Sequence, residues 1–146
     1  MKKAYTVIAL LVLISSLAMA AQAQSAGRRQ WVATIPFQFS VGDATLPAGQ
    51  YAIVEISPTA DRTVVEIRMK NGGRTVMLQM GPVMRARAQQ SVLIFRRYND
   101  QYFFAQAWIE GELEGLNAAK SRRERAAEQD LAALNKAMET VAIRSR

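Results

Sequence analysis

Residues 91–109 read SVLIFRRYNDQYFFAQAWI, and this stretch decides the fold class. Two runs rich in β-branched and aromatic residues flank Asn99-Asp100, a pair suited to closing a tight hairpin. With those two as the loop, Arg97 faces Tyr102 and Phe95 faces Phe104. Facing aromatic pairs stabilise antiparallel strands by roughly 0.2–1 kcal/mol each. Arg97 over the Tyr102 ring adds a cation–π contact of similar size. Alternation places Val92, Ile94, Phe103 and Ala105 on one face, and Leu93, Phe95, Phe104 and Trp108 on the other. A hairpin apolar on both faces belongs at the centre of a fold, covered on both sides.

Upstream, Asn71-Gly72-Gly73 is a second hairpin signal, because these residues tolerate the positive φ of tight turns. It joins a strand at 63–70, where Val65, Ile67 and Met69 alternate with Val64, Glu66 and Arg68, to one at 74–80. Residues 50–57 alternate in the same way. Residues 31–41 are interrupted by Pro36, whose missing N–H marks an edge strand or a bulge. Residues 81–90, with Gly81-Pro82, read as a polar connection. Six strands in hairpins predict a mainly β domain, either a small antiparallel β-sandwich or a partly closed barrel.

After Ile109 the β pattern stops, and residues 110–115 read as an acidic loop. Ser121 with Glu124 three residues on is a capping box. From there to about Ile143 there is no proline or glycine. Ala127, Leu131, Leu134, Met138 and Val141 form one apolar stripe at helical spacing, which predicts a C-terminal α-helix within 116–146. The stripe covers only about two heptads, too short for a stable coiled coil by itself. Docking on the chain's own sheet is the favoured use, and oligomerisation through this helix the second.

The first residues carry export features. Lys2 and Lys3 precede an apolar run at 7–17, and Ala21-Gln22-Ala23 supplies the small-x-small pattern that a signal peptidase reads. Ala18-Met19-Ala20 offers a second cleavage site. The expected organisation is therefore a signal peptide at 1–23, a flexible terminus at 24–30, a β-domain at 31–115 and the helix at 116–146. The apolar run is short of the ~20 residues that span a bilayer, so no transmembrane segment is expected after cleavage. The expected location is periplasmic or extracellular. The chain has no cysteine, so burial rather than disulfides must hold the fold in an oxidising compartment.

Four segments carry a family resemblance: Ile35-Pro36-Phe37-x-Phe39-x-Val41-Gly42, Leu46-Pro47-Ala48-Gly49-x-Tyr51, Arg97-Tyr98 with Gln101-Tyr102-Phe103, and Lys120-Ser121-Arg122-Arg123-Glu124-Arg125. Together they resemble small secreted proteins of acidobacterial type. The resemblance implies an exported β-domain with a short charged tail helix, and it implies no activity.

With no histidine and no cysteine, the chain lacks the usual base at neutral pH and both soft metal ligands. No catalytic residue, metal ligand or cofactor is expected. The one carboxylate pairing worth testing is Glu55 with Glu66, on adjacent strands, as the acid and base of a hydrolase. Glu110, Glu112 and Glu114 present oxygens for Ca²⁺, but a solvated loop, or ion pairs with Arg122, Arg123 and Arg125, is the favoured reading. The formal charge is +7, falling to +5 once Lys2 and Lys3 are removed. The remaining basic residues are arginine except for Lys70, Lys120 and Lys136, a bias suited to carboxylates and phosphates. Candidate anion or partner contacts are Arg85, Arg87, Arg97, Arg122, Arg123 and Arg125. Export argues against nucleic acid.

The favoured function is a non-catalytic envelope or secreted module that contacts a protein or another envelope component, and it requires a fully packed core. The runner-up is a small binding protein. Its apolar ligand would occupy a cavity walled by Phe37, Phe39, Tyr51, Tyr102 and Trp108, or its anionic ligand would sit on the arginines.

Overall fold

Asn99 takes a positive φ of 57°, the conformation that lets a two-residue turn follow the twist of the strands it joins. The hairpin around it is the middle of a ten-stranded sheet in a computed structural model that describes residues 28–58 and 62–146. The expected signal peptide, 1–23, lies outside the described residues. In chain order the strands are β1 (Gln30–Ile35), β2 (Phe39–Val41), β3 (Ala44–Leu46), β4 (Gly49–Pro58), β5 (Thr63–Met69) and β6 (Thr75–Met84). These are followed by β7 (Val92–Tyr98), β8 (Gln101–Trp108) and β9 (Glu114–Ala118), then helix α1 (Arg122–Ala133) and β10 (Glu139–Arg144).

The sheet runs β1-β4-β5-β6-β9-β8, and β8 then carries two branches, β7-β10 and β2-β3. Every ladder is antiparallel except one bridge between Ser40 of β2 and Phe103 of β8, so the sheet is mixed. It is open rather than a closed barrel. Its outer strands are fastened at one point, where Val32 and Arg146 exchange backbone hydrogen bonds of 3.0 Å.

The core lies against one face of this sheet. Trp31, Ile35, Phe39, Leu46, Tyr51, Ile53, Val65, Ile67, Leu93, Phe95 and Leu116 are fully buried in a single cluster. A smaller cluster on the other face joins Tyr98 and Phe103 to Ala127 and Leu131 of α1, so the helix docks on the chain's own sheet. A third packs Ala88 and Val92 against Trp108. The central hairpin is thus covered on both sides, with Phe95 opposite Phe104 and Arg97 opposite Tyr102.

The mainly β class with one helix among the described residues agrees with the sequence pattern, but the strand count is ten, not six. Pro36 splits the first segment into β1 and β2, and Ala44–Leu46, Glu114–Ala118 and Glu139–Arg144 add the rest. The acidic stretch stays a loop over 110–113, and only its last two residues, Glu114 and Gly115, open β9, where Gly115 has no side chain. The Trp108 ring lies where a Cβ would be, 2.6 Å from its ring carbons.

β6 also continues through Gly81-Pro82 instead of ending at Met80. Gly81 and Val83 pair with Asn117 and Gly115, and the Arg85 N–H reaches the Leu113 carbonyl. Odd-numbered residues of β6 therefore bond β9. Pro82 turns its missing N–H to the opposite side, past the first residue of β5, where no ladder needs it.

Trp108 is not on the Phe104 face. The β7–β8 register shifts between Ile94 and Phe95, leaving Ala105 as an extra residue in β8, and this bulge reverses the alternation beyond it. Trp108 therefore packs with Val92 and Ala88, while Ala107 takes the core position.

The helix ends at Ala133 and not near Ile143. Ser121 caps its start, its hydroxyl accepting from the Glu124 N–H at 3.1 Å. At the far end Asn135 has φ 52°, its N–H bonds the Ala132 carbonyl, and the Lys136 N–H bonds the Leu131 carbonyl. This is a Schellman termination with asparagine in the left-handed position. Val141 and Ile143 follow a strand's alternation, half-buried against the core, while Leu134 and Met138 of the apolar stripe are exposed. Nor is the terminus free up to residue 30. Gln30 opens β1, and the Arg29 carbonyl accepts from the Glu55 N–H at 2.9 Å.

Candidate functional site

The six candidate arginines do not converge. Arg85 lies over the Trp108 ring, 3.9 Å from its centroid, and shares an open hollow with Arg87, Val92 and Ile94. Arg97 sits 5.5 Å from the Tyr102 centroid, donates to the Asn99 carbonyl at 2.6 Å and pairs with Glu139 at 3.1 Å. Arg122, Arg123 and Arg125 share a separate solvent-open hollow beside Asp43 at the start of α1. There Arg123 donates to the Thr45 hydroxyl at 2.8 Å and Arg125 to the Lys120 carbonyl at 2.7 Å.

The acidic residues choose other partners than expected. Glu112 and Glu114 face Arg29, at 3.4 and 3.8 Å, rather than the helix arginines. Arg29 also grips the buried Glu55 through Nε at 3.0 Å and Nη2 at 3.1 Å, and the Thr63 hydroxyl donates to the same carboxylate. The hydrogen bond that the Arg29 guanidinium donates to Glu55 raises the Arg29 pKa above its ordinary value. Glu55 faces Val65 in the β4–β5 ladder, whereas Glu66 faces Val54. Neighbouring pairs point to opposite sides of a sheet, so Glu55 and Glu66 lie on different faces and share no cleft. The hydrolase pairing fails on this register.

A buried carboxylate that the sequence marked only as a capping-box residue holds α1 in place. Glu124 is buried, and its two oxygens receive Nε and Nη2 of Arg96, the latter at 3.1 Å, while the Tyr98 hydroxyl donates at 3.1 Å. Its side chain therefore does not turn back to close the capping box. Burial, followed by the nearby Glu124 charge, pushes the Tyr98 phenol well above its ordinary value.

The aromatic residues that would wall a cavity pack on one another instead. Phe37 stacks on Tyr102 with centroids 3.9 Å apart, and Phe39 meets both Tyr51 and Phe95 edge to face at 5.2 and 5.4 Å. Such contacts contribute about 0.5–1.5 kcal/mol each beyond their burial. The Tyr51 hydroxyl closes on the Pro47 carbonyl at 2.7 Å, and burial raises its pKa. The Trp31 indole N–H donates to the Trp108 carbonyl at 2.9 Å.

One edge is left open. β6 pairs with β5 from Thr75 to Met80 but with β9 only from Met80 to Met84. Because odd-numbered residues of β6 bond the β9 side, Thr75, Met77 and Gln79 aim their N–H and C=O groups along that side below β9. Among the described residues no strand pairs with them there. All three side chains are exposed, Met77 by 66%. The signal was present in the sequence as TVMLQ at 75–79, a β-prone run with no charge, proline or glycine.

Among the described residues, no three histidine, cysteine, aspartate or glutamate side chains group to hold a metal ion. No helix there is long and apolar enough to cross a membrane. No family model, curated protein or solved structure matches the chain.

Proposed function

We propose that the protein is a non-catalytic exported module that works by contact with another polypeptide in the envelope or outside the cell. The observation that carries this reading is the filled core: Phe37, Phe39, Tyr51 and Tyr102 meet ring to ring or lie buried among core side chains, and Trp108 is covered by Ala88, Val92 and Arg85. Side chains interlocked in this way leave an apolar ligand to compete with native packing contacts. The backbone groups of Thr75, Met77 and Gln79, which no strand among the described residues pairs, supply the complementary half, since an open strand edge templates pairing with another chain.

The anion-binding reading keeps one specific support, the meeting of Arg122, Arg123 and Arg125 at one hollow. Two of those guanidiniums already hold protein acceptors, which places it second. Native mass spectrometry of the mature protein, gently released from its host's envelope, tests the choice. A bare oligomer or a complex with a polypeptide is expected. A stoichiometric small-molecule mass on a monomer overturns the contact reading.

A further inference from the structure

We propose that β6 pairs antiparallel with β6 of a second copy of this chain, about a two-fold axis through Met77. The proposal rests on the contact reading above and names its partner.

The geometry of the free edge carries it. An antiparallel strand pairs with its own copy only when the central residue is opposite itself, and full bonding requires that residue's backbone groups to face outward. Met77 meets this condition, flanked at two residues on either side by Thr75 and Gln79, which face the same way. In that register Met77 exchanges both backbone bonds with its equivalent, and Thr75 does so with the partner's Gln79. No donor is left without an acceptor along the run.

The side chains fit the same register. Exposed Met77 packs against its equivalent on the outer face, and exposed Thr75 lies beside the partner's Gln79. On the inner face Val76 meets the partner's Leu78, and both are only half-buried within one chain. Apolar therefore meets apolar and polar meets polar at every position from 75 to 79.

The residues of the run itself bring no like charges together in this pairing. The chain carries +5 without Lys2 and Lys3, so a contact between copies is favoured where the facing run has no charge of its own. The 75–79 run is itself neutral, and Arg74 before it falls opposite the partner's Met80, which shares a surface hollow with Arg62. Sheet edges are ordinarily guarded by lysine, proline or a bulge. Here the β6 ladders show no bulge, and Pro82 lies beyond the free segment.

A five-residue edge is a small contact beside a standard interface of ~800 Å² per partner, so a weak, concentration-dependent dimer is expected rather than nanomolar binding.

Sedimentation of the mature protein across a concentration series tests this. The expected result is a monomer–dimer equilibrium, with the Met77 amide exchanging more slowly as concentration rises. Met77→Lys and Met77→Glu each place like charges across the axis, so each alone should weaken dimerisation several-fold. Mixing the two should restore a heterodimer. Met77 is exposed, and melting temperatures near the parent's check that both variants fold. The hydrogen-exchange arm needs no variant.

A protein monomeric throughout overturns the proposal, as does a dimer that Met77→Lys leaves unchanged. The second outcome keeps the contact reading, because a different surface then carries it. A monomer purified with a stoichiometric small molecule ends both.

Discussion

Replacing Glu124 with alanine removes the acceptor shared by two enclosed donors and leaves the Arg96 guanidinium without its counter-charge. The Arg96 side chain is 14% exposed and that of Glu124 only 2%, so water cannot fully replace the lost oxygens. Breaking a buried pair from one side typically costs about 3–5 kcal/mol. With ~2–8 °C of melting temperature per kcal/mol for domains in this size range, the loss should be at least ~6 °C.

The internal comparison is Arg97 with Glu139, whose side chains are 39% and 66% exposed. An exposed pair of that kind contributes at most ~1 kcal/mol, so Glu139→Ala should shift melting by only a few degrees. The double variant Arg96→Leu with Glu124→Leu removes both charges together and should lose less than the sum of the single variants. Thermal and urea unfolding followed by tryptophan fluorescence provide the readout. A Glu124→Ala protein no less stable than Glu139→Ala would refute the reasoning, because α1 would then be held by its apolar contacts alone.

Adding a methyl group at Gly115 drives it into the Trp108 ring and to 2.9 Å from the Ala107 carbonyl. Gly115→Ala should therefore cost about 1–3 kcal/mol in urea unfolding, with a changed tryptophan spectrum. Trp31→Phe keeps most of the ring but leaves the buried Trp108 carbonyl without its indole donor. It should cost about 1–3 kcal/mol, against near-neutrality if that bond contributes nothing. Tyr98 has its pKa raised above the ordinary 10.0, first by burial and then by Glu124. The folded state thus favours the neutral phenol, and stability is full below pH 10 but lost above it, where only the unfolded chain ionises. Tyr98→Phe should flatten that alkaline decline in the urea midpoint, leaving the smaller part due to Tyr51. Asn135→Gly should match or exceed the parent in melting temperature, while Asn135→Val should lose about 1–2 kcal/mol, because φ 52° is strained for a β-branched side chain.

Local chemistry made the central hairpin legible. Asn99-Asp100 fixed the turn, and the facing of Phe95 with Phe104 and of Arg97 with Tyr102 followed from counting outward. The start of α1 was equally plain, because Ser121 caps through its own side chain. What escaped depends on partners distant in sequence. Glu114–Ala118 has poor strand propensity and becomes β9 because the Trp108 ring requires a glycine beside it. The Ala105 bulge leaves no mark in composition, yet it moves Trp108 to the other face. In the tail, helical spacing from Ala127 to Val141 masked the alternation of Val141 and Ile143, and a single left-handed asparagine separates the two structures.

The candidate sites divide in the same way. The identity of the arginines was visible, but their separation into three hollows was not, since it follows from strand order. Glu55 looked like a strand-surface acid, and its burial with Arg29 and Thr63 depends on contacts across the end of the sheet. The free edge of β6 arises from a length mismatch: the ten-residue strand finds β5 for its first part and β9 for its last.

The most direct measurement asks what lies against Met77 in the living cell. A photo-crosslinking residue placed there, with another at the equally exposed Met84 as control, should yield a covalent product at twice the protomer mass from position 77 and none from position 84. Irradiation that yields no polypeptide adduct at position 77 would contradict the contact reading.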